Sequence, residues 1–283
     1  MYLLKLIDSI AYPKITVVTP NYNQANFIEQ TIQSVLNQNY PNLEYIIIDG
    51  ASTDGSVEII KKYEKRLAYW KSEPDKGMYY AINKGFSKAT GDIMCWINSD
   101  DILWKNSLFN VARIFSSNPA IKWLQGFPSV INEEGVIINQ RKPIYSKYFF
   151  YCYSHENSFA FIQQESTFWS RELWKESGSE LDTSYSIAAD FDLWMRFFNY
   201  DKMYCTNIQL GAFRKREGQK SSNVDLYLTE AKKSISKNFI ELSLLTKLVV
   251  KFVMFLKKIR NPFVQKINNK IIILLIGKST KLE

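Results

Sequence analysis

The first hundred residues alternate between short apolar runs and segments with helical periodicity. Residues 14–19 are β-branched and apolar and predict a buried strand, whereas residues 27–36 have apolar positions three and four apart and predict an amphipathic helix. The pattern repeats, with predicted strands at 43–48 and 93–97 and predicted helices at 56–67 and 78–89. Strands and helices that alternate with short connections predict a mostly parallel sheet covered on both faces, an α/β fold.

The pattern is less regular after residue 105. A helix is predicted through residue 115 and a strand over 123–127, whereas residues 143–187 are aromatic and irregular. Helical periodicity returns near Asp190, and the folded body is expected to close at about residue 223.

Charge separates this body from the tail. Residues 224–283 carry 12 Lys and Arg against 4 Asp and Glu, a net charge of +8, whereas residues 1–223 carry 24 of each and are neutral. We therefore predict a body over 1–223, with halves at about 14–105 and 106–223, and a basic helical tail over 224–283. A nucleic-acid enzyme would be expected to spread basic residues around its cleft, so nucleic acid is disfavoured as the substrate.

Composition narrows the protein class further. A chain of 283 residues with 46% hydrophobic and 15% aromatic residues can form a large core and is not disordered. The three cysteines lie far apart without a CxxC pair, which disfavours a disulfide framework or a thiolate zinc site and favours a reducing compartment. The N-terminus lacks the features of a secretory signal, and no uncharged apolar run reaches the ~18 residues of a membrane span, so a cytoplasmic location is expected.

Carboxylates follow two of the predicted strands. Asp49 ends the second strand, and the pair Asp100 and Asp101 follows the strand at 93–97. Ligands of such sheets collect beyond the carboxyl ends of the strands. Adjacent carboxylates repel unless a cation or hydrogen-bond donors compensate them, and Mg²⁺ is typically held by one or two carboxylates plus substrate phosphates. The alternative is a helix cap formed by Ser99, Asp100 and Asp101.

Five short motifs follow one another along the first half of the chain: Thr19-Pro-Asn-Tyr-Asn23, Ile48-Asp-Gly-Ala-Ser-Thr-Asp-Gly-Ser56, Ser72-Glu-Pro-Asp-Lys-Gly77, Ala81-Ile-Asn-Lys-Gly85 and Asn98-Ser-Asp-Asp101. In this order they resemble the nucleotide-sugar half of family 2 glycosyltransferases, which have the GT-A fold. Residues 164–169 and 188–194 are similar to the acceptor half of the same family. The resemblance implies an inverting, metal-dependent hexosyltransferase of the kind that builds bacterial surface polysaccharides.

The resemblance implies positions for the nucleotide-sugar donor and a divalent metal ion. The donor-binding residues would be Thr19, Pro20, Tyr22, Asp49, Lys76, Asp100, Arg214 and Arg216. Asp49 would bind the nucleoside, although many members carry a second aspartate where this chain has Gly50. The ring of Tyr22 would stack on the base, or else pack in the core.

The metal motif of the family falls on the paired aspartates. Asp101 would coordinate Mg²⁺ or Mn²⁺, and Asp100 would contact the ribose or share the ion. Arg216 stands where the family often has a histidine, which removes a possible metal ligand. Arg216 or Arg214 is instead expected to contact the pyrophosphate, because a guanidinium pairs well with phosphate oxygens.

The acidic pair of the acceptor half falls on Ala189 and Asp190. Asp190 is therefore the candidate base that takes the proton of the acceptor hydroxyl, and in-line attack with such a base inverts the sugar carbon. Asp192 is a rival, but two residues further along a helix it should point elsewhere. Glu165 and Trp169 are the candidate acceptor-binding residues, with core packing as the alternative for Trp169.

The tail contains a segment with two contrasting faces. Residues 242–259 are mainly apolar, and Ser243, Lys247, Lys251 and Lys258 fall near one face of the predicted helix. Such a helix can lie in a membrane interface, where lysines meet anionic headgroups. The alternative is a helix packed on the body or on a partner subunit.

The leading hypothesis is an inverting glycosyltransferase at the inner face of the cell membrane. It would move a sugar from a nucleotide donor, a UDP-sugar, to a lipid-linked or saccharide acceptor of a bacterial surface glycan. A noncatalytic nucleotide-sugar-binding or scaffolding protein at the membrane is the alternative. A nucleotidyltransferase ranks last, because the chain has no early Gly-rich, basic phosphate loop.

Overall fold

The computed structural model describes residues 12–140, 150, 162–238 and 243–259. The strands in these ranges are β1 (Ile15–Asn21), β2 (Leu43–Asp49), β3 (Tyr69–Ser72), β4 (Ile93–Trp96), β5 (Ile102–Leu103), β6 (Trp123–Gln125), β7 (Ser129–Ile131), β8 (Ile137–Gln140), β9 (Thr167–Ser170), β10 (Tyr204–Cys205) and β11 (Gly211–Arg214). The helices are α1 (Ile28–Leu36), α2 (Ser56–Lys62), α3 (Met78–Lys88), α4 (Ser107–Ser117), α5 (Arg171–Glu176), α6 (Ala189–Phe197), α7 (Val224–Lys237) and α8 (Leu244–Lys258).

The main sheet confirms the predicted α/β class. Its strand order is β10-β6-β9-β4-β1-β2-β3, and the block β4-β1-β2-β3 is entirely parallel. The strand β9 runs antiparallel to both of its neighbours, β4 and β6. The interiors of β1 and β2 are almost wholly buried, which is the environment that their β-branched sequences predict.

A second, smaller sheet lies at the carboxyl end of β4. Its order is β5-β11-β7-β8, and β11 pairs with β5 immediately after the Asp100-Asp101 pair. Gly211 begins β11, and a side chain there would collide with the main-chain carbonyl of Glu165. The glycine therefore allows β11 to approach the segment that carries Glu165.

The core beneath this edge is aromatic. Trp194 of α6 stacks on Trp96 of β4, with ring centroids 5.9 Å apart and an interplanar angle of 7°, and on Trp123 of β6 at 5.8 Å and 21°. Trp169 of β9 meets Trp96 edge to face and has an exposure of 0%. The prediction that Trp169 contacts the acceptor is therefore wrong, because its ring is enclosed by other aromatic rings.

The helix predicted over 56–67 and the stretch 143–187 are among the places where the structure departs from the predicted elements. The helix predicted over 56–67 ends at Lys62 and is followed by a separate 3₁₀ turn, Glu64–Arg66. Within the stretch 143–187, predicted to be irregular, the structure has β9 and α5. The strand β9 is short and buried, so it lacks the alternation of polar and apolar residues that reveals a half-exposed strand.

The predicted tail begins with a helix that is part of the core. Leu228, Ala231 and Ile235 of α7 are buried in the same cluster as the strands of the main sheet. The helix predicted in residues 242–259 is α8, whereas residues 260–283 of the predicted tail lie outside the described residues. In the part of the chain that the structure describes, no helix combines the length and the hydropathy needed to cross a bilayer.

Candidate active site

Asp49 lies at the end of β2, has no exposed surface and connects neighbouring strand ends through hydrogen bonds. Its Oδ1 accepts hydrogen bonds from Asn21 Nδ2 at 2.6 Å and Ser52 Oγ at 2.5 Å. Its Oδ2 accepts from Ser52 N at 2.9 Å and Ser72 Oγ at 2.6 Å. Both oxygens are thus used to join the ends of β1, β2 and β3, which argues against the predicted contact of Asp49 with the nucleoside.

The other residues predicted near the nucleoside divide into buried and exposed groups. Thr19 and Pro20 are buried in β1, and the hydroxyl of Thr19 lies 3.0 Å from that of Tyr45. Tyr22, directly beyond β1, is 63% exposed, and Lys76 is also exposed. Only the two exposed side chains are accessible to a nucleotide at this edge.

A cavity of about 280 Å³ lies at this edge, between the end of β2 and the start of α3. It is lined by Ile48, Glu73, Asp75, Lys76, Tyr80, Ala81 and Lys84. Its position beyond the carboxyl ends of parallel strands is the usual place for a nucleotide in this fold class.

The paired aspartates lie at the end of β4 and differ in accessibility. Asp101 has no exposed surface; its Oδ1 accepts from Arg214 N at 2.7 Å and its Oδ2 from Asn98 Nδ2 at 3.2 Å. The side chain of Asp100 is 13% exposed, and its Oδ2 lies 2.8 Å from Arg216 Nε. Burial, followed by the charges of Asp100 and Glu165, raises the pKa of Asp101 well above its ordinary value.

The two arginines at the end of β11 have different roles. The guanidinium of Arg214 is fully buried and donates to the main-chain carbonyls of Asp100, Asn132 and Glu133 and to Gln30 Oε1. It is therefore a structural group, and the predicted contact with pyrophosphate is not supported for Arg214. Arg216, with a side chain 19% exposed, is paired with Asp100 and remains the candidate.

These residues fit a divalent cation held jointly with a diphosphate. Asp100 and Asp101 supply only oxygen ligands, and burial together with the charges of Asp100 and Glu165 raises the pKa of Asp101, so a nearby cation would favour its ionised form. In the described ranges no three His, Cys, Asp or Glu side chains form a group that could hold a metal. The remaining ligands would therefore have to come from substrate phosphates and water.

Two further carboxyl groups face the same edge. Glu165 is 4% exposed, and its pKa is raised to about 7 by burial and by the charges of Asp100 and Asp190. The pKa of Asp190 is also raised to about 7, first by burial and then by the charge of Glu230. The charges of Asp100 and Glu165 thus act on Asp101, and those of Asp100 and Asp190 act on Glu165, so the structure brings these four carboxyl groups near one another.

One carboxylate oxygen of Asp190 lacks a hydrogen-bond partner among the described residues. This oxygen, Oδ1, is buried. Asp192, the rival base, is fully buried and bonded to Arg196 in its own helix and to Ser234 and Asn238 at the end of α7. The expectation that Asp192 points elsewhere is therefore confirmed.

The surroundings of Asp190 include residues of α7 that sequence reasoning missed. The carboxylate of Glu230 accepts from the main-chain N–H groups of Ser186, Ile187 and Ala188 at 2.8–3.0 Å, immediately before α6. The hydroxyl of Tyr227 donates a hydrogen bond to Asp190, which lowers the pKa of Asp190. The only sequence signal was the apolar periodicity of α7, because these residues lie far from Asp190 along the chain.

The raised pKa of Asp190 predicts a pH-dependent effect on stability. The pKa of an aspartate is about 3.8 in the unfolded chain, whereas the pKa of Asp190 in the folded protein is about 7. The ionised form is therefore less favourable in the folded state, and the stability of the protein falls as the pH rises from about 4 to about 7. We expect Asp190→Asn to stabilise the protein by roughly 1–3 kcal/mol at pH 8 and to have little effect near pH 4.

Urea unfolding of both proteins at pH 5 and pH 8 measures this difference. Asp225→Asn, at an exposed position at the start of α7, is the control and should show no such trend. An equal effect of Asp190→Asn at both pH values would contradict the assignment.

Solved structures of low sequence identity share this fold. TarS of S. aureus, residues 1–349 in complex with UDP-GlcNAc, matches with a TM-score of 0.64 at 19% identity, covering 84% of this chain and 70% of that one. The mannosyltransferase PcManGT of Pyrobaculum calidifontis, in complex with GDP-Man and Mn2+, has a TM-score of 0.55 at 17% identity, covering 95% and 88%. The architecture is therefore GT-A.

Two sequence relatives match at higher identity over shorter lengths. A Bacillus subtilis protein named for teichuronic acid biosynthesis, TuaG, is 41% identical over 96 residues, which cover 33% of this chain and 38% of TuaG. The glycosyltransferase MT1564 of Mycobacterium tuberculosis is 39% identical over 90 residues, 31% of this chain and 34% of that protein. The chain thus spans little more than a third of the length of these two relatives.

The match to a family description covers a longer stretch. The family named Glycosyl transferase family 2 matches residues 16–174, more than half of the chain. The chain therefore belongs to glycosyl transferase family 2.

Proposed function

We propose that the protein transfers a hexose, with inversion, from a UDP-sugar to a lipid-linked or saccharide acceptor in bacterial surface polysaccharide synthesis. Membership of the family supports glycosyl transfer, and the likeness to TuaG supports a surface polysaccharide as the product. The UDP-GlcNAc complex of TarS supports a UDP-sugar as the donor.

The observation that carries the proposal is the buried carboxylate oxygen of Asp190 that has no hydrogen-bond partner among the described residues. It lies at the same sheet edge as the paired aspartates, and a pKa of about 7 lets it accept a proton near neutral pH. An acceptor hydroxyl that donates a hydrogen bond to Oδ1 would also supply the missing partner of a buried polar atom. Asp190 then receives the hydroxyl proton as the oxygen attacks the sugar carbon.

Asp100 and Asp101 would hold Mg²⁺ or Mn²⁺ together with the donor diphosphate. When bound, the ion stabilises the negative charge that develops on the leaving diphosphate. Arg216 supports the same function, since its guanidinium already lies against Asp100 and can reach a phosphate oxygen beside it. Glu165, held next to Gln163, is proposed to bind an acceptor hydroxyl.

The principal test of this function is the variant Asp190→Asn. The substitution keeps the shape of the side chain but removes the proton acceptor, so transfer should fall by at least about 10²-fold while UDP-sugar binding is retained. Radiolabelled sugar transfer and calorimetry with UDP measure the two quantities.

Asp225→Asn is again the matched control and should transfer sugar at the wild-type rate. Undiminished transfer by Asp190→Asn would contradict the role of base. Binding of a nucleotide sugar by the wild type, with neither transfer nor hydrolysis, would favour the noncatalytic alternative.

A metal requirement follows from the paired aspartates. Chelation should reduce UDP affinity and sugar turnover by at least about tenfold, because the diphosphate would then lie against Asp100 and Asp101 without a divalent cation to offset the negative charge of all three groups. Added Mn²⁺ or Mg²⁺ should restore both in the wild type but not in Asp101→Asn. Equal turnover before and after chelation, measured as UDP release, would contradict metal use.

We further propose that α8 holds the protein at an anionic membrane surface. Its exposed apolar residues are Leu244, Leu245, Leu248, Phe252 and Phe255. At 100° per residue they fall within an arc of about 100°, with Lys247 and Lys251 beside it. An exposed apolar arc flanked by lysines is suited to the interface of anionic lipids, which supports a location at the inner face of the cell membrane.

Charge placed in this arc should release the protein from lipid. We expect the double variant Leu245→Glu/Phe252→Glu to reduce binding to vesicles containing phosphatidylglycerol by at least about tenfold. Thr229→Glu/Ser236→Glu, which adds the same two negative charges on the exposed surface of α7, tests whether added negative charge alone is enough. Vesicle co-sedimentation measures both, and unchanged binding of the α8 variant would contradict the proposal.

A further inference from the structure

The end of β2 presents no free carboxylate to the nucleotide cavity. Both oxygens of Asp49 are taken up by Asn21, Ser52 and Ser72, and the next residue, Gly50, has no side chain. A hydrogen-bond acceptor for the donor base must therefore come from another part of this edge.

Asp75 supplies a carboxylate at the position that Gly50 leaves empty. A Cβ atom built on Gly50 would lie 3.1 Å from Asp75 Oδ2. The other oxygen, Oδ1, accepts a hydrogen bond from Gly77 N at 2.7 Å, which fixes the side chain. Among the described residues none is recorded as donating to Oδ2, so this oxygen is available to a ligand.

An exposed aromatic ring lies beside this oxygen. The same Cβ position on Gly50 would be 3.3 Å from Cδ2 of Tyr22, a ring that is 63% exposed. Asp75 also lines the cavity of about 280 Å³ at the end of β2. An aromatic ring and a carboxylate oxygen that both lie close to one glycine suit a planar heterocycle that stacks on the ring and donates an N–H group.

We propose that Asp75 determines which nucleobase the protein accepts, by receiving the ring N–H of uracil on Oδ2. This inference rests on the proposed function, in which the donor is a UDP-sugar. Uracil carries a proton on N3 between two carbonyl groups, whereas N3 of cytosine is an acceptor that a carboxylate repels. Guanine also presents a ring N–H beside a carbonyl, so Oδ2 could accept from either base. GDP is therefore tested separately from UDP.

The hydrogen bond from Gly77 N to Asp75 Oδ1 determines how the amide group of Asp75→Asn is oriented. Only an oxygen can accept the Gly77 N–H, so the amide oxygen should keep that position and the NH₂ group should replace Oδ2. The variant would then present a donor instead of an acceptor to the base. Uracil should lose its partner, and N3 of cytosine should gain one.

Calorimetry with UDP, CDP, GDP and ADP, each with Mn²⁺, measures this effect. We expect the wild type to bind UDP at least about tenfold more tightly than CDP, and Asp75→Asn to reduce or reverse that ratio. Preference of the wild type for GDP over UDP would identify guanine as the base and overturn the uracil assignment. Asp225→Asn, which alters an exposed carboxylate at the start of α7, should leave the ratio unchanged.

A second variant returns the carboxylate to β2. Gly50→Asp combined with Asp75→Ala should recover the preference for UDP over CDP, whereas Asp75→Ala alone should lose it. An unchanged UDP to CDP ratio in Asp75→Asn and Asp75→Ala would overturn the inference while leaving glycosyl transfer intact. Failure of the wild type to bind any of the four nucleotides would overturn both the inference and the proposed function.

Discussion

The arrangement of the site depends on one buried cation, the guanidinium of Arg214. It donates hydrogen bonds to main-chain carbonyls at Asp100, Asn132 and Glu133, while its own main-chain N–H binds Asp101. A guanidinium keeps its proton in proteins, so its burial requires acceptors and nearby negative charge. Arg214 therefore ties the small sheet to the end of β4 and places a fixed positive charge beneath two adjacent carboxylates that would otherwise repel.

Local patterns predicted the scaffold and the sheet edge but not the partners of each side chain. The β-branched runs and strand-end aspartates lie within single segments, so the parallel sheet and the positions of Asp49, Asp100 and Asp101 could be read from the sequence. The sequence could not show that both carboxylate oxygens of Asp49 are already hydrogen-bonded, because the donors come from three separate segments. The same holds for Trp169, since only the assembled core reveals whether an indole faces solvent or other rings.

The role of α7 shows how a composition argument can mislead about a boundary. Net charge changes sharply near residue 224. A net-charge sum gives every charged residue the same weight, however, whereas packing on the core depends on the residues of one helix face. The buried face of α7 carries Leu228, Ala231 and Ile235, and its polar residues Tyr227 and Glu230 reach Asp190 and the turn before α6. The proposed proton acceptor is thus supported by a segment that composition alone assigns to a separate tail.

The stacked indoles have a consequence for how this site can diversify. Trp194 follows Asp190 by one helical turn and lies against Trp96, which directly precedes the strand end with the paired aspartates. These packed rings help to fix the spacing between α6, which carries Asp190, and the end of β4, which leaves little scope for gradual adjustment. New substrate preferences would therefore be expected to evolve in the loops around this aromatic layer, while its large planar residues resist replacement by smaller ones.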